Sequence, residues 1–190
     1  MPNDAETGLK AAVSGFAHEL IACGILMKRY QNVSTVNLPL SPYDIIVVLK
    51  KEDGSEEIIR GQAKTAGNNV SFTGGSRGGI DREYKSNVKK YRQSTKTSDV
   101  VIGVHPESDN HYDLYFVPTI LIEWLDQDSI SLSKISTFKN NYDILERCKD
   151  RKFVLRKSWM VEPSLREIIS KNMLNIIFNY YKLKFIYNLI

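Results

Sequence analysis

The sequence predicts an α/β fold in which a mixed central sheet is flanked by helices. Two observations carry this prediction: apolar runs of strand length alternate with amphipathic helical segments, and one of the helices falls between two strands. A helix between two strands acts as a crossover and makes them parallel, whereas the tight turn at Asp53-Gly54 makes its own two strands antiparallel. Since 42% of the 190 residues are hydrophobic, we expect one main core.

The first element is an amphipathic helix predicted over residues 6–28. Its large apolar residues recur at helical spacing and are expected to face the sheet; they are Leu9, Val13, Phe16, Leu20, Cys23 and Met27. Glu19 lies about 80° from the centre of this stripe, at the edge of the buried face, and Glu6 lies at the opposite border. His18 points away from the stripe and is expected in solvent.

Three strands are expected next, at 33–38, 45–49 and 58–65. The middle one is a continuous β-branched run, which is typical of a central strand with both faces buried. The following segment, 66–79, holds five of the 11 glycines and is expected to be a mobile loop.

A second amphipathic helix is predicted after this loop, with one apolar and one cationic stripe. The apolar stripe contains Ile80, Tyr84, Val88 and Tyr91, and the cationic stripe contains Lys85, Lys89, Arg92 and Lys96. Two further strands are expected at 100–105 and 112–117, and Pro118 can begin a short helix.

Residues 1–128 are thus predicted to form an α/β core, and 129–190 a C-terminal extension that packs on the core or forms an oligomer interface. The last part, 163–190, is expected to be helical, with an apolar stripe among lysines. Such a helix suits tail docking or dimerisation better than binding to a lipid surface, and we expect a homodimer or higher homo-oligomer.

Several protein classes are excluded by composition. The chain has no run of 18 uninterrupted apolar residues and no secretory leader, so we expect a cytoplasmic protein that does not contact a membrane. Cys23 and Cys148 lie far apart and have no neighbouring cysteine or histidine, which supports neither a disulfide framework nor a zinc site.

The charge is unevenly distributed, although the net value is only +4. Residues 60–98 contain nine Lys or Arg against two acids, and residues 149–190 contain nine against three. Clustered cations favour contact with the phosphates of a nucleic acid, although solvated helices often carry lysines for no such purpose.

The densest polar group lies on the central hairpin, where Asp44 opens one strand and Gln62-Ala63-Lys64 closes the next. Gln62 and Lys64 share one side of their strand. A three-residue loop, with Gly54 in the left-handed conformation, would pair Lys51 with Ser55 and place Asp44 opposite Gln62. A two-residue turn at Asp53-Gly54 would instead aim Asp44 at the opposite face.

These residues resemble the Asp…(Glu/Gln)-x-Lys signature of the PD-(D/E)XK nuclease superfamily, the restriction-endonuclease-like fold. The order helix, three strands, helix, strand is also similar to the common core of that superfamily, over roughly residues 5–117. The variant with glutamine is similar to a subset that includes some intron-encoded homing endonucleases. The resemblance implies a metal-dependent DNA endonuclease of restriction, homing or junction-resolving type; the alternative is a non-catalytic DNA-binding protein of the same fold.

The resemblance also implies a role for each residue. Asp44, the side-chain carbonyl of Gln62 and the backbone carbonyl of Ala63 would bind Mg²⁺, with Mn²⁺ able to substitute. Lys64 would orient or deprotonate the attacking water or stabilise the charge that develops on phosphorus. Glu19 is the candidate first-helix carboxylate that would restore the charge missing at Gln62. A structural explanation also exists, in which Asp44 and Lys64 form a buried ion pair and Gln62 is an ordinary amide on the sheet.

DNA contacts are expected downstream of the hairpin. The predicted phosphate-binding cations are Arg77, Arg82, Lys85, Lys89 and Arg92. The glycine-rich segment 74–79 could also cradle a nucleotide phosphate, but it lacks the Gly-Lys-Ser/Thr ending of such loops.

Overall fold

The structure, a computed structural model, describes residues 4–38, 41–74, 91–161, 163 and 165–172. Its main sheet has five strands, which lie side by side in the order β1 (Asn32–Thr35), β2 (Ile45–Lys50), β3 (Glu56–Thr65), β7 (Val100–Ser108) and β8 (His111–Pro118). β3 and β7 are parallel, and the other three neighbouring pairs are antiparallel. The predicted α/β fold with a mixed sheet is therefore confirmed.

Two small ladders and the helices complete the described fold. β4 (Asn69–Ser71) pairs with β9 (Ser129–Ser131), and β5 (Thr73–Gly74) pairs with β6 (Tyr91–Arg92). The helices are α1 (Asp4–Met27), α2 (Thr119–Leu125), a 3₁₀ helix (Leu132–Phe138), α3 (Tyr142–Glu146) and α4 (Arg151–Val161). As predicted, α2 begins directly after Pro118, whose φ of −58° suits a helix start.

The β2–β3 hairpin has the predicted register. Ile45 pairs with Gly61 and Lys50 with Glu56. At the turn, the amide of Lys51 donates to the carbonyl of Ser55 at 2.8 Å, and Gly54 adopts a φ of +81° that favours glycine. The three-residue loop is therefore confirmed, and it places Asp44 beside Gln62. Contrary to expectation, only one face of β2 is fully buried: Ile45 and Val47 are inaccessible while Ile46 and Val48 are half-buried.

Gly61, directly before the Gln-x-Lys segment, allows β3 and β7 to pack closely. A Cβ atom at this position would lie 2.8 Å from the side chain of Ile102 on β7. Arg60 and Asp99 hold the same two strands together, since the Arg60 guanidinium donates to both carboxylate oxygens of Asp99 at 2.9 and 3.1 Å. The strand that carries Gln62 and Lys64 is thus fixed to its neighbour.

The face that α1 presents to the sheet is not the predicted one. Phe16 and Val13 of the apolar stripe are 59% and 61% exposed, whereas Ala22 and Leu26 are fully buried, and Cys23 is the only buried member of the predicted stripe. His18, expected in solvent, is 9% exposed because its Nδ1 lies 2.8 Å from Thr65 Oγ1 and its ring contacts Tyr112 edge-on. Helical periodicity defines an apolar stripe, but it does not show which side the sheet covers.

The segment after β3 also differs from the prediction. Part of the expected loop forms β4 and β5, and Tyr91 and Arg92 form β6 rather than the end of a helix. The amide of Gln93 donates to the carbonyl of Phe72 at 2.7 Å, so this stretch runs beside β5 instead of coiling. Residues 80–90 of the predicted cationic helix lie outside the described residues, as do residues 75–79 of the predicted loop.

Described residues after 128 share the core of the main sheet. Ile130, Phe138 and Leu145 are buried in the same apolar cluster as Ile45 and Ile102. The predicted boundary at residue 128 therefore separates segments that pack together. Of the stripe predicted in 163–190, residues 165–172 are described as helical, with Leu165 and Ile169 buried; residues 173–190 lie outside the described residues.

Among the described helices, the part of α1 from Glu6 to Met27 is long and apolar enough to cross a membrane, with a mean hydropathy of 1.4. Length and composition alone establish nothing further, because core helices and N-terminal signal sequences meet the same criterion.

Candidate active site

Asp44 lies at the start of β2, where its carboxylate faces the end of β3. Its amide donates to the carbonyl of Gly61 at 2.9 Å, which extends the hairpin pairing by one residue. Its Oδ2 accepts the amide of Ala63 at 2.9 Å and the side-chain Nε2 of Gln62. Burial raises the pKa of Asp44, and these two hydrogen bonds together with the charge of Lys64 counteract that rise.

The Gln62 side chain is oriented by a chain of amides. Gln93 Nε2 donates to the backbone carbonyl of Pro42 and to Gln62 Oε1, both at 3.1 Å. A carbonyl can only accept, so Pro42 fixes which end of Gln93 is the nitrogen, and Gln93 in turn fixes Gln62. The nitrogen of Gln62, and not its oxygen, therefore faces Asp44. A metal-ligand role for Gln62 stays a prediction, and it requires the amide to rotate.

Lys64 lies on the same side of β3 as Gln62 and is partly exposed. Its positive charge lowers the pKa of both Asp44 and Glu19, which places it in the field of both carboxylates. No carboxylate of the described residues lies within 4.0 Å of its ammonium group, so the contact ion pair with Asp44 that the structural explanation required is not formed. Lys64 is thus available for another anion.

Glu19 reaches the same place from α1. Burial and the negative charge of Asp44 raise its pKa to about 7, and Lys64 counteracts part of this rise. Two carboxylates that repel each other in a partly desolvated place are what a divalent cation would stabilise. The structure therefore brings Asp44, Gln62, Lys64 and Glu19 together at the end of the hairpin.

The oxygen atoms at this place partly fit Mg²⁺. Asp44 and Glu19 supply hard anionic ligands, and the carbonyl of Ala63 faces the same group of polar side chains, where Gln62 Nε2 donates to it at 3.3 Å. Gln62 turns its amide nitrogen towards Asp44, and in this orientation it does not offer an oxygen ligand to the metal. The fit therefore rests on two carboxylates and one backbone carbonyl.

Two contributors to this site could not be found from the sequence. Gln93 is 1% exposed and links Pro42 to Gln62, and Thr97 and Ser98 donate hydroxyl hydrogens to its Oε1. His18 precedes Glu19 and is fixed by Thr65. Neither residue belongs to a motif; a buried glutamine in a polar stretch becomes visible only once the strands are paired.

Arg92 is the one predicted DNA-binding residue that the structure describes. Its guanidinium forms ion pairs with Asp126 and, at 3.1 Å, with Asp128. A phosphate would have to compete with these two acids. Arg77, Arg82, Lys85 and Lys89 lie outside the described residues.

A second polar cluster lies at the β7–β8 hairpin, where ligand atoms of Glu107, His111 and Asp113 lie within 4.8 Å of one another. Asp113 is 1% exposed, but Lys139 Nζ lies 2.7 Å from its Oδ2 and Asn140 Nδ2 donates to its Oδ1 at 2.8 Å. A cation already occupies the place that a metal would take, so this cluster is an ion-pair network.

No protein-family model, curated protein or solved structure matches this chain.

Proposed function

We propose that this chain is a Mg²⁺-dependent DNA endonuclease that hydrolyses phosphodiester bonds at the Asp44 site. The observation that carries the proposal is the convergence of Asp44, Glu19 and Lys64 from three elements onto one place: the start of β2, α1, and the end of β3. The register of the hairpin brings Asp44 and Lys64 together, and the packing of α1 against β3, where His18 contacts Thr65, adds Glu19.

The side chains divide into two charge types with different roles. Asp44 and Glu19 would hold the metal together with the Ala63 carbonyl, and the ion would supply Lewis-acid polarisation of a phosphate oxygen. Lys64, which has no contact ion pair among the described residues, would stabilise the charge that develops on the phosphate or orient the attacking water.

Gln62 supports this arrangement as a positioning residue. Its nitrogen holds Asp44 Oδ2, and its oxygen is anchored through Gln93 to Pro42, two residues before Asp44. This closed set of hydrogen bonds fixes the carboxylate before any ligand binds, which lowers the reorganisation needed for catalysis.

A second candidate is a non-catalytic DNA-binding protein of the same fold. The orientation of Gln62 favours it, because a donor that faces Asp44 occupies a position where a catalytic site would place a metal ligand. In that case only the Lys and Arg side chains would serve the function, by contacting DNA phosphates.

The test is incubation of supercoiled, linear and branched DNA with the protein and Mg²⁺, Mn²⁺ or Ca²⁺. An endonuclease should cleave with Mg²⁺ or Mn²⁺, and the variant Lys64→Ala should lose at least about 100-fold of the rate because one preorganised charge is removed. Lys50→Ala is the matched control, since Lys50 lies exposed at the other end of β2.

Three results would decide between the candidates. Cleavage that Lys64→Ala abolishes and Lys50→Ala leaves intact supports the endonuclease. Retarded DNA migration without cleavage under any metal supports the binding protein. Full activity in Lys64→Ala would refute the assigned site.

A further inference from the structure

The outward side of α1 carries a row of large apolar side chains that the rest of the described chain leaves exposed. This α1 row consists of Leu9, Val13, Phe16, Leu20 and Met27, which are 48–61% exposed. A contiguous apolar patch of this kind on a soluble domain marks an interaction surface.

The spacing of the row indicates what covers it. Leu9, Val13, Phe16 and Leu20 follow one another in steps of four, three and four residues, and Met27 comes seven residues later; Cys23, which lies between Leu20 and Met27 in the sequence, is buried in the core. This is the repeat of a helix that packs along its length against another helix, with the row as the seam. We propose that the α1 row is a homodimer interface in which the α1 helices of two copies pack antiparallel.

The row is self-complementary in that orientation. A two-fold axis near residue 18 would set Leu9 against Met27 of the partner subunit and Phe16 against Leu20 of the partner subunit. A two-fold interface requires such a match, since the same patch must serve both copies.

Charges at the two ends of the helix favour the antiparallel arrangement. Glu6 lies exposed near the start of α1, and Lys28 lies exposed just after its end. The antiparallel pair brings each Glu6 towards the basic end of the other helix, and it also opposes the two helix dipoles.

The exposed area is at the lower limit of what a specific dimer needs, about 1,000 Å² for both partners together. Five half-exposed large side chains offer roughly 500 Å² of apolar surface, against about 800 Å² per partner in a standard interface.

A lipid bilayer fits the row less well. α1 carries three acids and one lysine, which does not attract an anionic membrane surface. Insertion across a bilayer would also detach His18 from Thr65 and take Glu19 away from Asp44.

The test is the mass of the full chain in solution at micromolar concentration, measured by sedimentation velocity. The chain should be a dimer, and the double variant Val13→Glu/Phe16→Glu should weaken association at least about 100-fold, because it places four carboxylates in the seam. Both positions are more than half exposed, so the fold should persist by circular dichroism. Leu38→Glu is the control, since Leu38 is 68% exposed and lies outside α1.

Cross-linking tests the orientation. A mixture of Leu9→Cys and Met27→Cys chains should form the mixed disulfide, whereas Leu9→Cys alone should not cross-link to itself. A monomeric chain, a dimer that survives Val13→Glu/Phe16→Glu, self-linking of Leu9→Cys, or a monomer that floats with phosphatidylcholine–phosphatidylglycerol vesicles would each overturn the proposal.

Discussion

Asp44 and Asp113 both lie at an end of the sheet, and their carboxylates are held in different ways. Asp44 accepts two uncharged donors, the Gln62 amide and the Ala63 amide, and its pKa is raised by burial. Burial also acts to raise the pKa of Asp113, but the contacts with Lys139 and Asn140 outweigh it and lower the value. Lys139, in direct contact, is therefore the counterion of Asp113.

The partners of these two carboxylates distinguish a structural acid from an acid that can bind a ligand. Asp113 has its counterion within the chain, at 2.7 Å. Asp44 shares its surroundings with a second acid, Glu19, and with a lysine that forms no contact ion pair in the described part of the chain. Uncompensated charge of this kind is a mark of functional sites.

The largest expected difference between the two acids is in cleavage. Asp44→Asn should reduce metal-dependent cleavage about 1000-fold or more, because the best-held carboxylate of the site is lost, while the fold persists since an amide oxygen can still accept from Ala63. Plasmid cleavage rates and unfolding curves measure the two effects.

Asp113→Asn is the matched variant and should behave in the opposite way. It removes the negative charge that lies 2.7 Å from Lys139 Nζ and should lower the free energy of unfolding, with cleavage per folded molecule unchanged. If both variants lost the same fraction of cleavage activity, the proposed difference between a ligand-binding Asp44 and a structural Asp113 would be wrong.

The pH dependence of stability should differ in sign between the two sites. The pKa of Glu19 is about 7 in the folded chain against an ordinary 4.5, so its contribution is greatest at low pH and is lost as the pH rises from about 4.5 to about 7. The depressed pKa of Asp113 contributes stability above the ordinary value of 3.8, and this contribution is lost as the pH falls below it.

Unfolding by urea across this pH range measures both effects. Glu19→Gln should remove the decline in the free energy of unfolding between pH 4.5 and 7. Glu6→Gln, which changes an exposed glutamate of the same helix, should leave that decline unchanged. An undiminished decline in Glu19→Gln would place the titrating group elsewhere.

The prediction with the smallest expected effect tests the role of Gln62. Gln62→Glu adds a third carboxylate beside Asp44 and Glu19, and should tighten Mg²⁺ binding about tenfold if this position can ligate the metal. Calorimetric titration with Mg²⁺ measures it, and Glu107→Gln is the control at the second cluster. An unchanged affinity would mean that Gln62 only positions Asp44.

The residue types along the chain predict a hairpin with a tight turn at Asp53-Gly54, because turn residues and strand alternation are local signals. They left two turns open, and the structure selected the three-residue loop whose register joins Asp44 to Gln62. The parallel pairing of β3 and β7 was also predicted, from the helix expected between the two strands.

The side of α1 that is covered and the partners that surround each acid could not be found from the sequence. Periodicity gives a helix an apolar stripe but no neighbour, so Phe16 and Val13 were expected inside and lie outside. Lys139 and Asn140, which lower the pKa of Asp113, and Gln93, which orients the Gln62 amide, are distant in sequence from the residues they contact and carry no motif. Contacts between distant segments depend on the packing of the whole chain, and local pattern does not encode them.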